Sequence, residues 1–142
     1  MSRPAERVAT YDDLLDVPEH LVAELIHGVL HTHPRPSPRH AWASSRMGGE
    51  LDHPFSRGIG GPGGWIILDE PELHLLGNVL VPDLAGWRRK RLPKLPKTAW
   101  FELAPDWICE VLSPSAAKAD RLEKMPLYAP VSYTHLTLPT MQ

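Results

Sequence analysis

Residues 104–129 read APDWICEVLSPSAAKADRLEKMPLYA, and the first part of this stretch decides what kind of fold the chain can adopt. Residues 106–112 follow strand alternation, so Ile108, Glu110 and Leu112 point to one face and Glu110 stands in an apolar row. A buried, unpaired carboxylate is costly, so Glu110 must be paired, protonated or bound to a metal ion. Ser113 or Ser115 can then cap a helix over residues 118–128, which Pro126 distorts or ends early. On that helix Asp120, Lys124 and Tyr128 recur every four residues and share a face, with Arg121 beside them. A strand carrying an interior acid thus runs directly into a helix carrying a lysine.

Working back along the chain, VLVPDLAGW at residues 79–87 poses a similar question. The strand predicted over residues 78–85 contains Pro82, which cannot donate to a ladder and marks Asp83 as lying at a sheet edge or strand end. Residues 65–69 and 72–76 complete a meander whose turns come from Pro71 and Gly77. The glycine-rich segment 58–64 lacks the lysine and Ser/Thr of a phosphate-binding P-loop and precedes a strand, so it is expected to be a flexible loop. Residues 88–97, RRKRLPKLPK, predict an exposed loop flanked by Trp87 and Trp100, suited to gripping phosphates or simply to solvation.

Nearer the N-terminus, residues 21–27 and 29–33 predict an antiparallel hairpin about Gly28, with Glu24 sharing a face with Val22 and Ile26. Thr10 and Asp13 form a capping box for a helix over residues 10–16, which Pro18 helps to stop. Pro34, Pro36 and Pro38 make a stiff connector to a helix over residues 40–51. Gly48 and Gly49 weaken that helix by about 1 kcal/mol each relative to alanine. The order helix, hairpin, helix, strands, helix is that of an α/β or α+β domain built around one mixed central sheet.

A chain of 142 residues with 42% hydrophobic residues can bury one core and is too short for two ordinary domains. No run approaches the roughly 18 apolar residues of a membrane span, and the N-terminus lacks a signal peptide's apolar stretch. No membrane partner and a cytoplasmic location are therefore expected. Cys109 is the only cysteine, which excludes an internal disulfide and any cysteine-built zinc site. The net charge of -2 supplies no global attraction to nucleic acid, so any such contact needs a local basic patch.

If Glu24, Asp83 and Glu110 converge, they can hold a hard cation such as Mg²⁺, and a nearby lysine can stabilise negative charge on a phosphoryl oxygen. Such parts suit phosphodiester hydrolysis. Spacing alone also admits, and by itself favours, a solvated Asp120–Lys124 pair with Glu24 and Asp83 capping turns. His27, His31 and His33, with His40 nearby, raise the alternative of a histidine metal centre; exposed hairpin histidines account better for their spacing.

The strand ending EVLSP, followed by D-R, K and Y-A along the next helix, resembles the signature of the bacterial restriction-endonuclease family of Uma type. That family is a branch of the PD-(D/E)xK nuclease superfamily. AELIHGVL at residues 23–30 is similar to the family's ELI-x-G pattern, SPRHAW at 37–42 to its S-P and H positions, and VPDLAGW at 81–87 to its PD strand. The motifs keep the family's order from about Tyr11 to Ala129.

The resemblance implies a restriction-endonuclease-like domain over residues 1–129, with Asp83 and Glu110 as ligands for Mg²⁺ or Mn²⁺. Glu24 becomes a further catalytic acid and nucleic acid, above all DNA, the substrate. Leu112 occupies the place where the superfamily's lysine follows the glutamate, so the lysine role is implied to pass to Lys124. Asp120 and Tyr128 would support that helix face, and His40 would lie at the periphery of the site. A homodimer, which the superfamily often uses to cut two strands, is compatible with this reading. Residues 130–142, PVSYTHLTLPTMQ, depart from the family's pattern and are expected to be an atypical tail foreign to a fold truncated at its C-terminus. The alternative is a nuclease-fold domain without catalysis that binds nucleic acid or protein; metal dependence separates the two.

Overall fold

Thr10 starts the first element. Its extended backbone (φ -118°, ψ 170°) lets its side chain accept from the Asp13 N–H, while the Asp13 carboxylate accepts from the Thr10 N–H at 2.7 Å. The expected capping box therefore opens α1 (Tyr11–Leu15). The protein is seen here as a computed structural model that describes residues 7–112, 127–128 and 132–137.

The hairpin forms where turn chemistry places it. β1 (Leu21–Ile26) pairs antiparallel with β2 (Val29–Pro34), from Leu21 opposite Pro34 to Ile26 opposite Val29. His27 and Gly28 both sit at positive φ (50° and 75°), as a two-residue type I′ turn requires, and a Cβ on Gly28 would meet Val8 Cγ1 at 2.6 Å. His27 thus leaves the strand to which alternation assigns it, and its N–H donates to Asn78 Oδ1 at 2.9 Å.

The next helix, α2 (Pro38–Leu51), begins at Pro38 and not at His40. Ser37 is its N-cap, with the hydroxyl accepting the His40 N–H at 3.3 Å. Pro38 takes the first turn, where its missing N–H would have had no helical partner anyway, so this proline belongs to the helix and not to the connector. The helix passes Gly48 and Gly49 and runs into one π-helical turn, Asp52–Ser56.

The described strands form two four-stranded sheets. The first orders β2, β1, β5 (Asn78–Leu80) and β4 (Leu73–Leu75), all antiparallel. The second orders β3 (Trp65–Asp69), β6 (Leu84–Arg88), β7 (Trp107–Leu112) and β8 (Ser132–Thr137); the β7–β8 pair is parallel, so this sheet is mixed. The one strand expected over residues 78–85 is therefore two. Pro82 has no N–H for a ladder, so pairing stops after Leu80, and Val81, Pro82 and Asp83 carry the chain from one sheet to the other. β6 then extends to Arg88, which pairs with Trp65 and holds its guanidinium 5.0 Å from that ring's centroid.

Leu73, Leu80, Trp87 and Ile108, all fully buried, centre the main core. Trp87 stacks on Phe101 with ring centroids 4.4 Å apart and donates its indole N–H to the Leu103 carbonyl at 2.9 Å. It is a core residue and has no face to offer the basic loop. A smaller cluster of Leu14, Leu25 and Val79 holds α1 against the first sheet.

The architecture is the mixed α+β class expected. Of the helix predicted over residues 118–128, only Leu127 and Tyr128 fall among the described residues, and both are helical. Asp120, Arg121 and Lys124 lie outside them. The stretch set apart as a tail supplies β8, paired from Ser132 opposite Trp107 to Thr137 opposite Leu112. Among the described residues no helix is long and apolar enough to cross a membrane.

Candidate active site

The crossover at residues 81–83 is gripped from both sheets. Because Pro82 ends the ladder, the Val81 N–H needs a partner from elsewhere. Glu24 on β1, only 3% exposed, supplies it: Oε2 accepts that N–H at 2.8 Å. At the other end Asp83 Oδ2 accepts the Val111 N–H of β7 at 2.6 Å. Both are charge-assisted bonds, stronger than neutral ones, and together they tie the crossover to each sheet.

Strand register then brings the third acid in. β6 and β7 pair Leu84 with Cys109 and Ala85 with Ile108, so one residue further along Asp83 stands opposite Glu110. Glu110 is 8% exposed between buried Ile108 and Leu112, as the alternation requires, and its Oε1 accepts the Tyr128 O–H at 3.2 Å. Tyr128 is itself fully buried.

His40, in the first turn of α2, places Nε2 3.3 Å from Asp83 Oδ1. Among the described residues its buried Nδ1 has no hydrogen-bond partner, so the neutral ring is assigned its proton on Nε2, toward the carboxylate. The bond to Asp83 raises the His40 pKa above its ordinary value against the opposing effect of burial. A pKa raised by folding stabilises the protein fully below the unfolded value of about 6.5, and that contribution fades as pH climbs through the raised value. His40→Gln is therefore expected to lower the melting temperature of metal-free protein more at about pH 5.5 than at about pH 8.5. Equal losses at both would show that the pair carries no charge.

Glu24, His40, Asp83 and Glu110 line one pocket of about 310 Å³, and Tyr128 reaches it through its bond to Glu110. Asp120 and Lys124, the remaining sequence candidates, lie outside the described residues. Two residues that sequence reasoning did not single out, Arg35 and Glu70, also line the pocket, as does His33, read from the sequence as an exposed hairpin histidine. His33 Nε2 lies 3.5 Å from Glu24 Oε1. Placing the turn at Gly28 makes this readable, because the register sets His33 opposite Val22, diagonal to Glu24. Glu70 stands at positive φ (46°) before Pro71, and its N–H donates to the Asp83 carbonyl at 3.0 Å. No local pattern signals that conformation in a glutamate.

Among the described residues the histidines form no centre of their own: His27 is in the turn, His33 pairs with Glu24 and His40 with Asp83. Among the described residues no group of three or more His, Cys, Asp or Glu side chains is placed to hold a metal ion. Mg²⁺ does not need such a cage, since one or two carboxylates, waters and substrate phosphates commonly hold it. Asp83 and Glu110 fit that description as oxygen donors on one pocket. The only thiol, Cys109, is fully buried, and burial pushes its pKa up to about 12, helped by the negative charge of Asp83 and Glu110. It is neither nucleophile nor ligand here.

A search of curated proteins finds no match. Among solved structures the chain is similar to a protein from Anabaena variabilis ATCC 29413 reported as a "putative nuclease belonging to DUF820". The two share 20% identity with a TM-score of 0.73, over 90% of this chain and 73% of that one, a likeness of fold. Residues 8–135 match the family Uma2, described as "Putative restriction endonuclease", a span that includes every described acid of the pocket and both sheets as far as His135 in β8. Family and fold together point to a restriction-endonuclease-like nuclease, and the chain belongs to the Uma2 family.

Proposed function

We propose that this protein is an endonuclease that uses Mg²⁺ or Mn²⁺ to hydrolyse phosphodiester bonds in DNA. The observation that carries this reading is the convergence of Glu24, Asp83, Glu110 and His40 on a single pocket from β1, the crossover, β7 and α2. Asp83 and Glu110 would hold the metal; when bound it supplies Lewis-acid stabilisation of the phosphoryl oxygens and a lowered pKa for water. His40 fixes the orientation of Asp83, and Tyr128 that of Glu110. Glu24 secures the Val81 N–H with Oε2, and its Oε1 lies 3.5 Å from His33 Nε2; as a carboxylate on the pocket it is the candidate proton acceptor. Lys124 is assigned the positive charge that balances the transition state, on the strength of the sequence motif.

One observation favours a second reading, that of a non-catalytic binding domain. Glu24 and Asp83 each already hold a backbone N–H, which is a structural task. Supercoiled plasmid separates the two readings. The nuclease nicks it with Mg²⁺ or Mn²⁺, does not nick it with a chelator, and loses the activity in Glu110→Ala and Lys124→Ala. Folded wild-type protein that leaves plasmid intact with either metal would favour the binding domain.

A further inference from the structure

The pocket collects negative charge, and its substrate would be a polyanion. Glu24, Glu70, Asp83 and Glu110 all line it, and like charges repel an approaching phosphate. Among the described lining residues the one guanidinium or ammonium group is that of Arg35. We propose that Arg35 is the phosphate-binding residue at the mouth of this pocket, gripping a backbone phosphate of the nucleic acid beside the scissile bond. The proposal rests on the nuclease reading above for the identity of the ligand.

Three features of Arg35 support it. The first is its unspent charge. Arg7 and Arg91 each pair with a carboxylate at 2.7 Å, whereas the polar contact of Arg35 is from Nη2 to the Glu19 backbone carbonyl at 3.1 Å. A carbonyl orients a guanidinium without neutralising it, and the remaining donors keep the fork geometry that matches a phosphate. This is notable beside four acids, any of which a flexible arginine could seek.

The second feature is a stiff mount. Pro34 and Pro36 flank Arg35 and fix their own φ angles near -65°, so the backbone that carries its side chain has little freedom, and the bond to the Glu19 carbonyl orients the guanidinium. A pre-positioned cation loses less entropy when it binds an anion. The third is location. The connector joins His33, which pairs with Glu24, to the start of α2, where His40 pairs with Asp83. Arg35 therefore sits on the arch between the two acid–imidazole pairs. The N-terminal end of the 14-residue α2, with its partial positive charge, opens onto the same pocket through Ser37 and His40.

A purely structural role would make Arg35 only a strap from the connector to Glu19. Anisotropy of a fluorescent DNA duplex, measured on the full chain in chelator across about 50 to about 200 mM salt, distinguishes the two. Arg35→Gln is expected to weaken binding about tenfold at low salt and to flatten the slope of log affinity against log salt by about one phosphate's worth. Arg35→Lys should recover the slope, since the charge returns. Affinity within about twofold of wild type together with an unchanged slope would overturn the proposal. In case Arg35→Gln fails to fold, the wild-type protein provides a second measurement: saturating duplex should protect Arg35 from phenylglyoxal, read by mass spectrometry, and full reactivity in the complex would overturn the proposal.

The nuclease reading fails separately. If Arg35 governs DNA binding but plasmid stays intact with both metals, catalysis falls and the phosphate contact stands. If plasmid is nicked and Arg35→Gln behaves as wild type, only the phosphate contact falls. A wild-type chain that neither binds nor cuts DNA overturns both.

Discussion

Replacing Glu110 by alanine should lower metal-dependent plasmid nicking by about two to three orders of magnitude, the usual cost of deleting one preorganised charge-stabilising group. The size follows from where the carboxylate stands. Glu110 is 8% exposed, opposite Asp83 in register and bonded to a fully buried tyrosine hydroxyl, so neither water nor a neighbouring side chain can readily replace its charge. The next residue, Val111, donates the N–H that orients Asp83, so both proposed metal ligands depend on the same few residues of β7.

Glu110→Gln provides the sharper comparison. It keeps the side chain's volume and an oxygen for the Tyr128 hydroxyl while removing the negative charge. Activity should fall nearly as far as in the alanine variant, with the melting temperature close to that of wild type, because Gln keeps the volume and the bond from the Tyr128 hydroxyl and removes the cost of burying a charge. Nicking by Glu110→Gln within about threefold of wild type would exclude Glu110 from the reaction, given the magnitude expected of such a group.

Trp87→Ala is the corresponding test of the fold. Truncating a fully buried tryptophan usually costs about 3 to about 5 kcal/mol. That is a large share of the roughly 5 to 15 kcal/mol by which a domain is stable. Trp87 has 0% exposure, stacks on Phe101 and satisfies the Leu103 carbonyl, so the substitution removes a ring and leaves a buried acceptor without its donor. Trp87→Phe keeps most of the ring and should cost about 1 to 2 kcal/mol, chiefly the lost indole donor. Urea midpoints read both. A Trp87→Ala loss below about 1 kcal/mol would mean that this core is not packed as described. The effect should reach the pocket as well, because Trp87 lies on β6, the strand that begins directly after Asp83.

How far the sequence could be read differs sharply between elements. The capping box at Thr10, the turn at Gly28 and the apolar row around Glu110 each depend on residues a few positions apart, and each appears as expected. The strand through residues 78–85 shows where local reading stops. Alternation continues across Pro82, so the pattern suggests one strand, while the missing N–H makes the chain change sheets there. Pro38 is a similar case, since three prolines at alternate positions resemble one connector until a serine cap turns the last of them into a helix start.

By itself, then, the sequence determined the class of fold and the family signature, as well as which acids lie in surroundings where a carboxylate must be paired. Tertiary structure alone decided that those acids meet. Glu24 reaches Val81 across 57 positions and Asp83 reaches Val111 across 28, distances over which no periodicity carries information. Strand register sets such meetings, and register depends on which faces the whole chain can bury at once. For the same reason Arg35 and Glu70 joined the pocket only after folding: an arginine between prolines and a glutamate before one have no local feature that tells them what the rest of the chain brings near.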